Sequence, residues 1–272
     1  MVINPQKTKT TKDNPEIETS TQDLVSDFVE KSDVFGEALY GYLNGDSSTY
    51  SIIWRNNTHI DDIDTSVFFN SYLGWEDYEK NILLKNIKGK VLDIGAGAGR
   101  HALFLQKKGF DVQAIDNSPG AVQIMKIRGV KNVQLADMRD LPFPGNSFNS
   151  VLIMFSDLGI AGSIKDTKQL LKNLYKMTTE KGRIILALRD PFSLRQSQYF
   201  IPHNHKRKGA KIVDKLRIRI KYNSSIGDWF YLLMASPKEL KGLIKKTGWT
   251  VSQIEKGKDG FYGAVLEKEE IV

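Results

Sequence analysis

The sequence predicts an α/β fold in which a mostly parallel sheet is covered by helices on both faces. Three observations carry that expectation. From Lys90 onward, short apolar runs alternate with segments of helical periodicity. The runs are apolar at consecutive positions, as strands buried on both faces are. The first of them, Val91-Leu92-Asp93-Ile94, ends in a glycine-rich turn, Gly95-Ala96-Gly97-Ala98-Gly99, that leads directly into a helix.

Residues 1–20 are rich in Thr, Lys, Asn and Pro and almost free of apolar side chains, so they read as a disordered tail. Residues 21–87 read as an N-terminal helical cap. Leu24, Val25, Phe28, Val29, Val34, Phe35, Ala38, Leu39 and Tyr42 recur at three- and four-residue spacing, which predicts one or two amphipathic helices ending near Gly45. Ser51–Trp54 reads as a strand entering a turn, and Glu76–Ile87 as the helix leading into the main body.

The main body, residues 88–272, begins at the first strand. Arg100–Lys108 is a helix stopped by Gly109, where the missing β-carbon suits a left-handed cap. Asp111–Asp116 is the second strand. Ser118-Pro119 opens the next helix, with serine as cap and proline where no amide hydrogen is needed. Val133–Ala136, Ser150–Phe155 and Gly182–Leu188 supply strands three to five, with a helix over Asp166–Met177 before the fifth. Pro237 starts a helix ending at Gly248, and Trp249–Lys256 and Phe261–Glu267 are joined by so short a loop that they must pair antiparallel.

The connection between the fifth strand and Pro237, residues 191–236, is about ten times a usual loop, a length that argues for a functional cover. Val213, Leu216, Ile218, Ile220 and Tyr222 alternate before the turn Asn223–Gly227, and Trp229-Phe230-Tyr231 follow, so the segment reads as a β-hairpin lid. With Tyr40, Trp54, Phe68, Phe69, Tyr72 and Trp75 it would roof an apolar pocket; each ring is equally at home as core filling.

The 272 residues contain no cysteine, which excludes disulfides, thiolate metal sites and cysteine nucleophiles. No apolar run approaches the roughly 18–20 residues that cross a bilayer, and the opening residues lack a signal-peptide core, so a cytoplasmic protein is expected. The net charge of +7 concentrates in His203–Lys211 and in Lys215, Arg217, Arg219 and Lys221. Such a run is a solvated loop or a nucleic-acid contact. His203 and His205 have no local carboxylate to complete a metal site, and no metal is expected.

The glycines themselves discriminate between ligands. Gly95, Gly97 and Gly99 alternate, and Arg100 falls where a dinucleotide fingerprint would need its third glycine. No lysine followed by Ser or Thr comes after them, as a phosphate-cradling hydrolase would require. Acidic residues end the next two strands, Asp116 and Asp137. Either alone is as readily a helix cap, but in register with the turn they share the carboxyl edge where ligands bind.

Val91–Arg100 resembles the first motif of class I S-adenosylmethionine-dependent methyltransferases, and the resemblance runs with specific motifs over residues 88–190. It implies a Rossmann-like sheet of seven strands with an antiparallel C-terminal hairpin, and S-adenosylmethionine as cofactor. By that resemblance Asp116 would hold the ribose hydroxyls, Asp137 the adenine amino group, and Asp93 the turn and the amino-acid end. The full set it implies is Asp93, Gly95, Ala96, Gly97, Arg100, Asp116, Asn117, Asp137, Met138 and Phe155. The family's Asn/Asp-Pro-Pro-aromatic signature for base amines is absent, since the fourth strand ends in Ser156-Asp157-Leu158-Gly159.

Methyl transfer from a sulfonium mainly needs alignment and exclusion of water, and a general base is optional. Candidates near the acceptor are Ser156, Asp157, Arg189 and Asp190. The reading is a small-molecule methyltransferase. The alternatives are an RNA methyltransferase using residues 203–221 as its arm, and a noncatalytic protein that keeps the cofactor pocket.

Overall fold

A computed structural model describes residues 33–46, 49–54, 60–155, 157–190 and 213–269. The N-terminal tail, the basic run 203–211 and Ser156 lie outside them, as does the part of the first predicted helix before Asp33. No helix among the described residues is long and apolar enough to cross a membrane.

Seven strands form the main sheet: β3 (Val91–Ile94), β4 (Val112–Asp116), β5 (Asn132–Leu135), β6 (Phe148–Ile153), β7 (Thr178–Arg189), β11 (Trp249–Lys256) and β12 (Phe261–Lys268). Their order is β11-β12-β7-β6-β3-β4-β5. The pairs among β3–β7 are parallel, whereas β12 runs antiparallel to β7 and β11 to β12. The expected α/β sheet with an antiparallel closing hairpin is therefore present. From β3 the chain moves outward to β4 and β5, then returns to β6 on β3's other side, so the crevice beside the glycine turn is the switch point where such sheets bind ligands.

Two apolar layers sandwich the sheet. Leu92, Ile94, Val151, Ile153, Ile184 and Leu186 pack into one, and Val91, Leu152, Ile185 and Val265 into the other. On these layers lie α2 (Asp77–Asn86), α3 (Arg100–Lys107), α4 (Pro119–Ile127), α5 (Ile164–Met177) and α6 (Pro237–Leu243). Ser118, Ser163 and Ser236 each cap the following helix through a side-chain oxygen. β5 departs from the buried pattern: it is an edge strand, and Leu135 is 47% exposed. β6 stops at Ile153, two residues short of the expected end, because Phe155 takes a positive φ of 52° that no strand continues.

A second sheet was not foreseen. β1 (Thr49–Trp54) and β2 (Ile60–Asp64) of the N-terminal segment join β8 (Val213–Tyr222), β9 (Ser225–Ile226) and β10 (Phe230–Met234) of the long connection, in the order β10-β8-β1-β2. The predicted hairpin is there, but β8 also pairs with β1, Ile52 opposite Ile220. One face of this sheet buries Tyr50 and Tyr222 against Val34 and Ala38 of α1 (Val34–Leu43). Tyr222 also donates to Asp46 Oδ2 at 2.6 Å, beyond the end of that helix.

Candidate functional site

The glycine turn holds a conformation that its composition requires. Gly95, Gly97 and Gly99 have φ of 70°, 55° and 77°, a region open to glycine and strained for other residues. The turn is fixed to the neighbouring strand, with Gly95 and Ala96 both donating to the carbonyl of Ile115 at 3.0 Å.

Asp116, at the tip of β4, reaches the turn from the side. Its Oδ2 accepts from the Gly97 amide at 2.9 Å and its Oδ1 from the Ser118 amide at 2.9 Å. The residue is 6% exposed, and burial pushes its carboxyl up to about 6 in spite of those amides. Asp93, on β3, is 1% exposed; burial, with the Asp116 charge second, pushes it up to about 7. Asp93 Oδ2 is fully buried and meets no protein donor. A buried acceptor without a donor is rare in a folded protein and expensive, so it marks a place for a ligand donor.

Beside Asp93 lies a buried ionic cluster. Arg100 opens α3, and Glu79 reaches it from α2. Glu79 Oε1 accepts from Arg100 Nη2 and from His101 Nε2, the latter at 2.6 Å. Burial opposes ionisation of Glu79, but the bonds from His101 and Arg100 outweigh it and hold its carboxyl below the usual range. Burial also lowers the His101 pKa, so the ring is neutral and donates its Nε2 proton to Glu79. The Arg100 guanidinium lies 4.2 Å from the Phe155 ring centroid and 5.4 Å from that of Trp75.

The crevice above Gly97 is covered. A β-carbon built on Gly97 would stand 3.4 Å from Phe68 Cδ1 and 3.8 Å from Phe35 Cζ. Phe35 meets Tyr50 and Phe68 edge-to-face, and Phe68 continues to Phe155 at 5.3 Å, so a chain of rings runs from the second sheet to the tip of β6. Asp33 fastens this cover: its Oδ2 accepts from Ser118 Oγ and the Gly120 amide, both at 2.8 Å, while Oδ1 caps α1 through Gly36. Two arginines hold the Phe68 turn by its carbonyls, Arg100 through Val67 at 3.0 Å and Arg128 through Phe69 at 3.3 Å.

Several sequence candidates converge here: Asp93, Gly95, Ala96, Gly97, Arg100, Asp116 and Phe155. Others do not. Asp137 forms a forked ion pair with Arg139 on the surface, and that partner lowers its carboxyl pKa. Met138 packs against the sheet core, and Asn117 is exposed. Arg189 turns to the β11–β12 loop, donating to Asp259 O at 3.2 Å and stacking on Phe261. Ser156 and the Asp157 side chain lie outside the described set. Of the expected roof, Phe68 is in place, whereas Tyr72 and Trp75 pack on Phe104 beside α3.

Glu79, His101, Asp33 and Phe35 were missed as site residues. Glu79 shares a helical face with Ile82 and Leu83, so a carboxylate on a buried stripe was the available signal. Asp33 offered only a cap signal, and nothing in the sequence marks His101.

Residues 91–182 match the family model described as a methyltransferase domain. A ubiquinone/menaquinone biosynthesis C-methyltransferase of Geotalea daltonii is 30% identical over 121 residues, 39% of this chain and 50% of that one. A demethylmenaquinone methyltransferase of Tropheryma whipplei is 31% identical over 152 residues, 52% of this chain and 60% of that protein. The chain thus spans about half the length of the curated relatives it matches. In fold it is similar to a methyltransferase of Bacteroides fragilis crystallised with S-adenosyl-L-homocysteine, with a TM-score of 0.74 and 24% identity over 88% of this chain and 96% of that one.

Proposed function

We infer from its methyltransferase domain, residues 91–182, that this chain is an S-adenosylmethionine-dependent methyltransferase acting on a small-molecule acceptor. The observation that carries the reading is the pair of buried carboxylates, Asp93 and Asp116, on either side of the left-handed glycine turn, one with an acceptor atom that no protein group satisfies. The cofactor's amino-acid end offers an ammonium donor, its sugar offers two hydroxyls, and its sulfonium is a cation that carboxylates favour.

When bound, S-adenosylmethionine supplies a methyl group already activated for in-line displacement. Asp116 would hold the ribose, with its spare lone pairs accepting the hydroxyls while the Gly97 and Ser118 amides keep the carboxylate aimed. Asp93 and Arg100 would hold the amino-acid end. Phe35, Phe68 and Phe155 would exclude water from the crevice above Gly97 and give an acceptor an apolar lining.

That apolar lining supports a small acceptor over a nucleic acid, as do the small-molecule names of the relatives. Arg219 and Arg217 lie 4.5 and 5.6 Å from the Trp229 ring centroid, so their guanidinium groups pack on an aromatic face of the protein itself.

Calorimetry with S-adenosylhomocysteine tests the cofactor. Micromolar binding that disappears in Asp116→Ala supports the reading, and no binding by the wild type rejects it. Incubation with methyl-labelled cofactor and fractionated cell extract then tests the acceptor. Label in a low-molecular-weight fraction is expected; label confined to RNA would overturn the small-molecule assignment.

A further inference from the structure

Arg100 and Asp93 each carry an unused polar atom in the same buried region. Arg100 donates from Nη1 to Val67 O and from Nη2 to Glu79, while its Nε is buried and has no hydrogen-bond partner. Asp93 Oδ2 is likewise buried without a partner. These are opposite charges close enough for each to perturb the other, and yet they form no salt bridge. Arg100 Nη2 is bound instead by the Glu79 carboxylate, which also accepts from His101 Nε2.

We propose that Glu79, on a helix outside the matched domain, is the positioning residue for the cofactor's amino-acid end, keeping Arg100 apart from Asp93 so that both remain open to a zwitterion. The proposal rests on the cofactor reading above. An α-amino acid presents a carboxylate and an ammonium a few ångströms apart, which complements an unused arginine N–H and an unused carboxylate oxygen. Glu79 supplies the charge that makes this arrangement stable without ligand, because a buried guanidinium with no counter-ion would otherwise turn to the nearest carboxylate. Asp93 is the other buried carboxylate whose charge acts on Arg100. Without Glu79, Arg100 and Asp93 satisfy one another, and the amino-acid end loses both anchors together.

Two structural details fit a positioned guanidinium. Its Cζ lies 4.2 Å from the Phe155 ring centroid and 5.4 Å from that of Trp75, and Phe155 has a φ of 52°, a conformation that bulky residues rarely adopt. Glu79 itself is 4% exposed, so its carboxylate serves these buried partners and not the solvent.

The test compares two ligands by calorimetry: S-adenosylhomocysteine, and 5′-methylthioadenosine, which keeps the nucleoside and sulfur but lacks the amino-acid end. In Glu79→Gln, affinity for S-adenosylhomocysteine should fall roughly tenfold or more, while affinity for 5′-methylthioadenosine stays within about twofold. Arg100→Gln should show the same selective loss, and the double variant should be no worse than Arg100→Gln alone, because the two act as one unit. Equal loss of both ligands, or loss of neither, overturns the proposal. Failure of the wild type to bind S-adenosylhomocysteine overturns the cofactor reading instead. If Glu79→Gln does not fold, Glu79→Asp retains the charge on a shorter arm: a smaller but still selective loss supports the proposal, and an unselective one rejects it.

Discussion

Phe68 rests over Gly97, with its Cδ1 3.4 Å from where a β-carbon on that glycine would be. The ring that covers the turn therefore occupies space next to the amides that a ligand would approach. Replacing Phe68 by alanine should quicken S-adenosylhomocysteine association, read by stopped-flow fluorescence, and lower stability by about 1–3 kcal/mol because the ring is only partly buried. An unchanged association rate would show that Phe68 does not obstruct entry.

Gly97→Arg should abolish cofactor binding while leaving most of the fold intact. A side chain there is strained at φ 55° by about 1–2 kcal/mol and points at Phe68 and Phe35. Circular dichroism and a melting curve check the fold, and calorimetry checks binding.

The two buried carboxylates predict a pH dependence with a definite sign. Asp93 is raised to about 7 and Asp116 to about 6, so between an ordinary carboxylate pKa and those values the folded protein binds more protons than the unfolded chain. Their contribution to stability is therefore lost as pH rises from about 4 to about 7, and Asp93→Asn should remove part of that slope in melts across pH 5–8. A cationic ligand prefers the ionised carboxylates, so affinity for S-adenosylmethionine should rise over the same interval, with protons released on binding. Isothermal titration in buffers of different ionisation enthalpy counts them.

Asp33→Ala removes acceptors used by Gly36, Ser118 and Gly120, and should cost about 1–3 kcal/mol. Because those bonds fasten α1 to the start of α4, hydrogen exchange should accelerate in residues 34–43 far more than in β3 or β6. Uniform acceleration would mean that α1 has no independent motion.

The sequence disclosed what depends on neighbours along the chain. The glycine turn, the Ser118-Pro119 cap and the strand-end acids are local chemistry, and they lead straight to Asp93, Gly97 and Asp116. Features made by distant segments were not legible. Glu79 meets Arg100 and His101 only because α2 docks against α3, and Phe35 reaches Gly97 only because α1 lies on α4. Asp137, expected at the adenine, pairs on the surface with Arg139 two residues away, a contact that its position at a strand end did not signal. The positive φ of Phe155 left no trace either, since an aromatic side chain normally argues for continuing the strand.

The pairing of β1 with β8 has a practical consequence for anyone trimming this protein. A fragment beginning at residue 88 would keep every strand of the main sheet but strip β8 of its neighbour, leaving a row of free backbone donors and acceptors beside exposed apolar residues such as Ile52's former partner, Ile220. Such a piece would tend to stack edge to edge and precipitate, and its insolubility would report on the missing strands, with no bearing on whether the remaining body can fold.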